Sequence, residues 1–429
     1  MVKELALANI QGNILGGFNK DFQTFVLLKF KSNAAGRAWI KQISDPGSDV
    51  SVANSSAELV LQFNAQFKAL MRQGKTPEAF IEAEWTNLAI SVHGLQALGV
   101  DAGKFPDEFR AGMAARNELL GDLGTSDPQH WLAPFGTSDL HAILTVAADS
   151  EAKLTARVAV ITGTPEFKAG ADILLKVEGR TRMDLPGQAG HEHFGFKDGV
   201  SQPGIRGVDP PDDPLGAPNQ GHPGQDLLWP GEFVLGYPTQ IGHFEAGGDS
   251  PNSKPGPPSQ SGPVWTHDGS YLVFRRLAQD VPGFHRHVAK IAAENNLHRD
   301  LAGAKLVGRY KSGCPLESRE FQRPGTWPSP TDPGATHHEL ADSDTLNNNF
   351  EFGDDEKGTI CPMSAHIRKA YPRDETTDTA QPDSESETQT HRLLRRGIPF
   401  GGSFGATSNG KASDPRGLVF QCFQKRIKD

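Results

Sequence analysis

Asp198 stands between Gly195 and Gly199 in the run His191-Glu-His-Phe-Gly-Phe-Lys-Asp-Gly-Val-Ser-Gln-Pro203. Glycine lets the backbone turn sharply and lets a planar ligand approach closely, and proline fixes the exit of the loop. A carboxylate held in so tight a loop is either a turn residue, since Asp-Gly is a frequent turn dipeptide, or an acid/base aimed at a ligand. Two later runs favour the second reading. Cys361-Pro-Met-Ser-Ala-His-Ile-Arg-Lys-Ala-Tyr-Pro-Arg373 offers a metal-binding residue type, His366, flanked by Arg368, Lys369 and Arg373. His391-Arg-Leu-Leu-Arg-Arg-Gly-Ile-Pro-Phe-Gly401 offers Arg395 close to a Pro-Phe-Gly turn. An acid, an imidazole and a guanidinium in these settings read as one site.

Elements that could position such a site alternate in type. Phe22–Phe30 is β-branched and aromatic enough for a strand, as are Asn87–Val92, Asp139–Ala147, Ser270–Leu277 and Gly417–Phe423. Helical spacing predicts helices over Ala34–Ser44, Ala57–Met71, Leu95–Leu98, Ser150–Thr162 and from Val281 on, with proline in its first turn. Strands separated by long segments favour an α+β architecture over a doubly wound sheet. Gly231-Glu-Phe-Val-Leu-Gly-Tyr-Pro238 reads as a short strand or edge segment inside a Gly/Pro-rich stretch of surface loops, 208–263. Asp374–Thr390, acidic and almost without apolar residues, reads as a mobile surface loop.

The chain has 429 residues, room for two domains that each bury a core. Its net charge of −9 argues against nucleic acid or an anionic membrane as the main partner. Three scattered cysteines, Cys314, Cys361 and Cys422, make a poor disulfide framework and a poor zinc site. No stretch approaches a membrane-spanning length, and the first residues lack the apolar core of a signal peptide, so the expected location is cytoplasmic rather than secreted. A homo-oligomer is left open.

The three site motifs resemble the dye-decolorizing peroxidases, a family of haem enzymes whose Gly-x-x-Asp-Gly signature falls on Gly195–Gly199. Ile10-Gln-Gly-Asn-Ile, Asp268-Gly-Ser-Tyr-Leu-Val-Phe-Arg-Arg-Leu, Gln279-Asp-Val-Pro-Gly-Phe, Lys305-Leu-Val-Gly-Arg-Tyr-Lys-Ser-Gly and Arg416-Gly-Leu-Val-Phe-Gln are similar to family segments in the same order. The resemblance implies two ferredoxin-like domains, antiparallel sheets with helices, with the haem in the C-terminal one. We divide the chain accordingly into 1–207, ending in the Asp198 loop, a connecting 208–264, and 265–429. The family's chains run on past the strand carried here by Leu418–Phe423, through a part that can hold a carboxylate for the proximal histidine. This chain stops at Asp429, and no replacement for that carboxylate is evident in it.

The resemblance further implies one haem b (iron protoporphyrin IX) per chain, with hydrogen peroxide and phenols, aromatic dyes or similar reductants as substrates. His366 would be the iron ligand, and Arg368, Lys369 and Arg373 would neutralise the propionates. Gly199, Val200 and Ser201 would contact the haem, Tyr371, Pro372 and Arg373 would meet its propionate side, and Phe400 would form distal wall unless it is an ordinary core residue. Asp198 would move the peroxide proton. An ordinary Asp, with a pKa of about 3.9, stays ionised where a His would be protonated, so an acidic optimum follows, with activity lost once Asp198 is protonated. Arg395, four residues before the proline of the turn, would stabilise the departing oxygen, leaving Arg392 and Arg396 structural or solvent-facing.

Rival readings stand beside these. Cys314-Pro and Cys361-Pro could supply a thiolate to haem. His191, Glu192 and His193 suggest a metal but lack a third ligand in any known motif; they read as pocket or loop residues, as do His337-His338 and the Asp342/Asp344 pair. Tyr371, Tyr310 and Tyr237 are candidates for relaying electrons from bulky reductants. A haem-handling protein with incidental peroxidase activity, and a non-haem hydrolase built on 191–198, are the alternative functions.

Overall fold

The computed structural model describes residues 4–45, 47–48, 53–76, 78, 80–185, 187, 189–211, 220–241, 254–317, 347–375, 388–404 and 415–428. Contacts divide the chain into two compact units, Ala6–Arg180 with Gln260–Val273 and Lys425–Asp429, and Met1–Leu5 with Thr181–Ser259 and Phe274–Gln424. The boundary falls after Arg180, so Asp198, His366 and Arg395 share one unit.

In the first unit, β1 (Phe22–Phe30), β2 (Glu84–Ile90), β3 (Ala142–Ala148) and β4 (Ala171–Arg180) form an antiparallel sheet in the order β2-β3-β1-β4. β1 reads as an almost unbroken apolar run because both its faces are covered. Val26 and Leu28 meet Trp39 and Ile43 of the Asn33–Ser44 helix and Leu154, Val158 and Ile161 of the Glu151–Gly163 helix. Elsewhere Val60 of the Ala57–Arg72 helix packs with Phe18, Trp85 and Ala147 of β3. Ser32, Ser56 and Ser150 cap these three helices, each accepting from the backbone N–H three residues on; each such cap is worth about 1 kcal/mol. The expected strands and helices form within a few residues of their predicted ends. β4 has no counterpart in the sequence reading. It lies at the sheet edge, where Ile173 and Leu174 are exposed, so its apolar residues run together instead of alternating with a buried face.

In the second unit, β7 (Tyr271–Ala278), which enters it at Phe274, lies beside β10 (Gly417–Gln424). β10 pairs in turn with β8 (Leu394–Arg395) and β9 (Ile398–Phe400). A second, parallel pair joins β5 (Gly204–Ile205) to β6 (Leu227–Leu228). The Val281–Glu294 and Arg299–Val307 helices pack through Val288, Ala292 and Ala302. A further core joins Leu301, Tyr310, Cys314, Leu316, Phe350, Phe352, Cys361 and Ala365. The fold is α+β, with antiparallel sheets and helices, as two ferredoxin-like domains require.

One segment departs from expectation. Gly231–Pro238 is neither strand nor surface padding: Phe233, Val234, Leu235 and Tyr237 are all buried, next to a single 3₁₀ turn over Pro230–Glu232. Gly231 permits this, because a Cβ there would lie 2.0 Å from the Tyr237 carbonyl. Most of Asp374–Thr390 falls outside the described residues; Gln389, near its end, is fully buried. Among the described residues, no helix is long and apolar enough to cross a membrane.

Candidate active site

The Asp198 loop is tied down at several points. Glu192 staples it from within, accepting from the backbone N–H groups of Phe194 and Phe196 at 2.8 Å each. Lys197 N–H bonds the Lys311 carbonyl and Asp198 N–H bonds that of Gly190. Gly199 takes φ +73°, a left-handed conformation that disfavours a side chain, and a Cβ there would face open space. Asp198 therefore stands on a fixed backbone with an unobstructed neighbour.

Arg395 comes from β8, where it pairs with Cys422. Its guanidinium donates to the Ser201 carbonyl at 2.7 Å, and a second nitrogen lies 3.4 Å from the Asp198 carboxylate. Both side chains of this pair are about one-third exposed, 33% and 37%. The pairing is loose, and Ser201 rather than Asp198 fixes the arginine. Gln202 completes the anchor in both directions: Arg395 N–H donates to its Oε1, and its Nε2 donates to the Arg395 carbonyl. Gln202 lies inside the motif read from sequence, but no rule of residue type gave it this role.

His366 opens a five-residue helix, His366–Ala370. The residue is exposed, yet enough protein surrounds the ring that desolvation, then Arg395, move its pKa below the usual 6.5, while Asp198 pulls it upward. It is thus a neutral imidazole within electrostatic reach of both Asp198 and Arg395. Its helix abuts Gly308, where φ is +94° and a Cβ would lie 2.3 Å from Ile367. Asp198, Arg395 and His366 are the predicted residues that come together.

One flanking cation departs from expectation. Arg368 is 1% exposed and bonds Asp355, Glu375 and the Cys361 carbonyl, so it holds the His366 helix down rather than neutralising a propionate. Glu317 joins this cluster, accepting from the Cys361 N–H. Burial, with Asp355 beside it, pushes its carboxyl up to about 8. Burial also acts to raise Asp355, but hydrogen bonds from Thr359, Glu317 and Cys361 outweigh it and hold it at about 2.

Asn348 links the Asp198 loop to the arginines that suit an anionic group. Its Nδ2 donates to the Val200 carbonyl, its Oδ1 accepts from Arg309 and its own carbonyl accepts from Arg373. Arg373 is buried at φ +54° with its guanidinium 3.9 Å over the Phe350 ring. Arg309 is buried too, and bonds the neutral oxygens of Gly313, Asn347 and Asn348. Burial, then Arg373 and Arg395, bring its pKa down to about 9. Sequence reasoning missed Arg309, although it sits in the Gly-Arg-Tyr run already singled out.

Tyr371 adjoins this group, with the Arg373 guanidinium 5.3 Å from its ring, and makes further bonds of its own. It donates to Asp226, accepts from Gln389 and carries the Arg392 guanidinium 3.7 Å over its ring. Arg392 bonds Asp226 at 3.1 Å, so it is structural, as is half-buried Arg396, which bonds the Arg395 carbonyl. Pro372 is half-buried between Tyr371 and Arg373. Phe400 is buried beneath Arg276, whose guanidinium lies 3.9 Å from its ring, the environment of a core residue.

The rival ligands fare poorly. Cys314 and Cys361 are fully buried, and burial pushes both thiols up to about 12, which disfavours a thiolate. Among the described residues, no group of three His, Cys, Asp or Glu could hold a metal ion. His337, His338, Asp342 and Asp344 lie outside the described residues.

A neutral imidazole, an Asp-Arg pair facing open space, and arginines bonded to neutral oxygens suit a large, planar, anionic iron ligand such as haem. Residues 9–183 match the model of the DyP dimeric alpha+beta barrel domain. Peroxidase 2 of Mycetinis scorodonius is 32% identical over 99% of this chain and 71% of its own length. A dye-decolorizing peroxidase of Exidia glandulosa is 30% identical over 99% and 72%. Among solved structures, an ancestral D-type dye decolorizing peroxidase is similar at TM-score 0.74 and 31% identity, over 99% of this chain and 82% of that one. The chain belongs to the dye-decolorizing peroxidase family. It is a haem peroxidase, and haem handling with incidental turnover is set aside as its primary role.

Proposed function

We propose that His366 holds one haem b per chain, and that Asp198 and Arg395 carry the peroxide chemistry beside it. Haem, when bound, would supply the redox chemistry that cleaves the peroxide O–O bond. The residues of this chain manage the proton and the charge. The Asp198 carboxylate accepts the proton from the near peroxide oxygen and returns it to the far one, which leaves as water. Arg395, held by Ser201 and Gln202, offers fixed positive charge to that departing oxygen without reorganising. Gly199, Val200 and Ser201 supply the backbone against the ring. Arg309 and Arg373 meet the propionates, with Tyr371 and Pro372 on the same side; Phe400, the last residue of β9, packs in the core. The single observation that carries this reading is the loose Asp198–Arg395 pair, 3.4 Å apart and partly open, within electrostatic reach of a neutral His366.

The reductants are phenols, aromatic dyes and similar molecules; a solved relative was captured with 2,6-dimethoxyphenol. With a carboxylate rather than an imidazole in the acid/base role, the activity has an acidic optimum. Haem titration tests the assignment of the ligand. Wild-type protein should give a saturating Soret band at one equivalent, and His366→Ala should lose it or shift it to a weakly held form. An unchanged band in His366→Ala would overturn the assignment.

A further inference from the structure

Glu192, in the His-Glu-His run that suggested a metal, commits its carboxylate to the loop that carries Asp198. Each oxygen accepts one backbone N–H, Phe194 on Oε2 and Phe196 on Oε1, both at 2.8 Å. Among the described residues these two N–H groups have no backbone acceptor, so the carboxylate is what satisfies them. The turn closed in this way ends a short ladder. Glu192 N–H donates to the Phe196 carbonyl at 3.0 Å, His191 faces Lys197 as an antiparallel pair, and Asp198 N–H donates to the Gly190 carbonyl at 2.9 Å. Asp198 is thus the next rung after that pair, and its backbone takes its register from the turn that Glu192 holds. A slip of one residue in such a pairing would turn the side chains to the opposite face, Asp198 included.

The same turn is fixed to the rest of its unit. Gln279, just before the Val281–Glu294 helix, donates its Nε2 to Glu192 Oε2, and Arg182 donates to the Glu192 carbonyl. Phe194 stacks on Phe284 of that helix with centroids 4.2 Å apart, and Phe196 meets the same ring edge-on at 6.0 Å. His193 Nε2 reaches the Phe400 carbonyl of β9 at 2.9 Å; a carbonyl only accepts, so this nitrogen carries the hydrogen. Glu192 joins the interior of the turn to Gln279 outside it. Burial moves its carboxyl above the usual 4.5 despite the two N–H bonds, and Asp198 adds to the rise, so the two carboxyl groups lie within electrostatic reach of each other. None of these partners is His366, Arg309 or Arg373.

We propose that Glu192 is a positioning residue for the peroxide reaction: by holding the turn it aims the Asp198 carboxylate, and it takes no part in retaining the cofactor. The role rests on Asp198 as the group that moves the peroxide proton. Glu192→Gln is the specific probe. The amide keeps one acceptor oxygen but presents a donor where the second N–H now bonds, so one N–H of the turn loses its acceptor. The side chain keeps its size, and the aromatic contacts of Phe194 and Phe196 stay in place.

A double-mutant cycle tests the proposal, with the rate of reaction of the haem-loaded protein with peroxide measured in wild type, Glu192→Gln, Asp198→Asn and the double variant. Glu192→Gln should keep the Soret band and react roughly tenfold more slowly, as when a catalytic group loses its alignment. Because Glu192 acts through Asp198, the same substitution in the Asp198→Asn background should change the rate by no more than about twofold. Deuterium exchange of the backbone amides in 190–199, read with and without haem, should be roughly tenfold faster in Glu192→Gln. Gln279→Leu, which leaves both N–H bonds of the turn in place, should move rate and exchange the same way by less, and it keeps the test decisive should Glu192→Gln fail to fold. An unchanged rate, an equal loss in both backgrounds, or loss of the Soret band along with the rate would overturn the proposal. Asp198→Asn reacting as fast as wild type would sink the proton-transfer reading instead. Exchange then decides whether Glu192 holds the loop, faster exchange upholding the hold and unchanged exchange overturning it.

Discussion

Arg368, two residues beyond His366, meets Asp355 at 3.1 Å with the two side chains only 1% and 2% exposed. Glu375 takes the other guanidinium nitrogen. The helix that presents the imidazole is only five residues long and has no side-chain cap. Its position therefore rests on this buried charge cluster, on the apolar contacts of Ile367 and on the close approach of Gly308.

Arg368→Ala should accordingly be among the most damaging substitutions in the unit. Removing the arginine leaves buried Asp355 and half-buried Glu375 without their cation, at a cost of roughly 3–5 kcal/mol. Thermal melts should show a drop of many degrees, and haem affinity should fall with it. A melt within two degrees of wild type would mean that the cluster does not anchor the helix.

Glu317 and Asp355 should respond differently to amide substitution. Glu317, pushed up to about 8, is already neutral near pH 7, so Glu317→Gln should be well tolerated. Asp355, held at about 2, accepts several donors as a carboxylate, and Asp355→Asn should be clearly destabilising. The pH dependence follows from linkage. The folded Glu317 keeps a proton that the unfolded chain releases above its ordinary 4.5, so this group's contribution is complete below 4.5 and is lost as pH rises toward 8. Melting temperatures from pH 5 to 8.5 should therefore fall less steeply in Glu317→Gln than in wild type. Identical slopes would contradict the assignment.

His193 sets a limit on the acid side. Burial is the main cause that brings its pKa down to about 4, so the folded protein resists a proton that the unfolded chain takes up near 6.5. Its contribution is complete above 6.5 and is lost as pH falls through 4. Chemical denaturation at pH 6.5 and 4.5 should show His193→Phe losing less stability between the two than wild type does. An equal loss would place the acid sensitivity elsewhere.

Gln202→Ala should separate positioning from binding. The amide fixes the Arg395 backbone from both sides but touches no other predicted site residue in the bonds described above. The Soret band should be retained, while the rate of reaction with peroxide falls by roughly tenfold or more, as expected when a charge-stabilising donor loses its position. Gln202→Glu, which keeps the acceptor but not the donor, should fall between. Loss of haem in Gln202→Ala would instead give the residue a structural role.

Much of this was legible before any coordinates. β1 declares itself through its β-branched and aromatic run and the Asn33–Ser44 helix through its helical spacing, and the glycine-bracketed Asp198 through its turn chemistry. What stayed hidden depends on partners far apart in sequence. Arg368 looks like a free cation until Asp355 and Glu375 are seen around it, and Gln202 and Asn348 are ordinary amides until their partners at Arg395 and Arg309 appear. β4 was missed because at the sheet edge its apolar residues, Ile173 and Leu174 among them, do not alternate with a buried face, and 231–238 because glycine and proline suggest exposure even where the backbone is packed.

The account stands or falls on Asp198 as the group that moves the peroxide proton. The direct test is the rate at which the haem-loaded protein reacts with one equivalent of hydrogen peroxide, wild type against Asp198→Asn, near the acidic optimum. The account predicts an intact Soret band in the variant and a rate lower by roughly 10²-fold or more, the usual worth of a positioned acid/base. A rate within a few-fold of wild type would contradict it and leave Arg395 as the residue that carries the step.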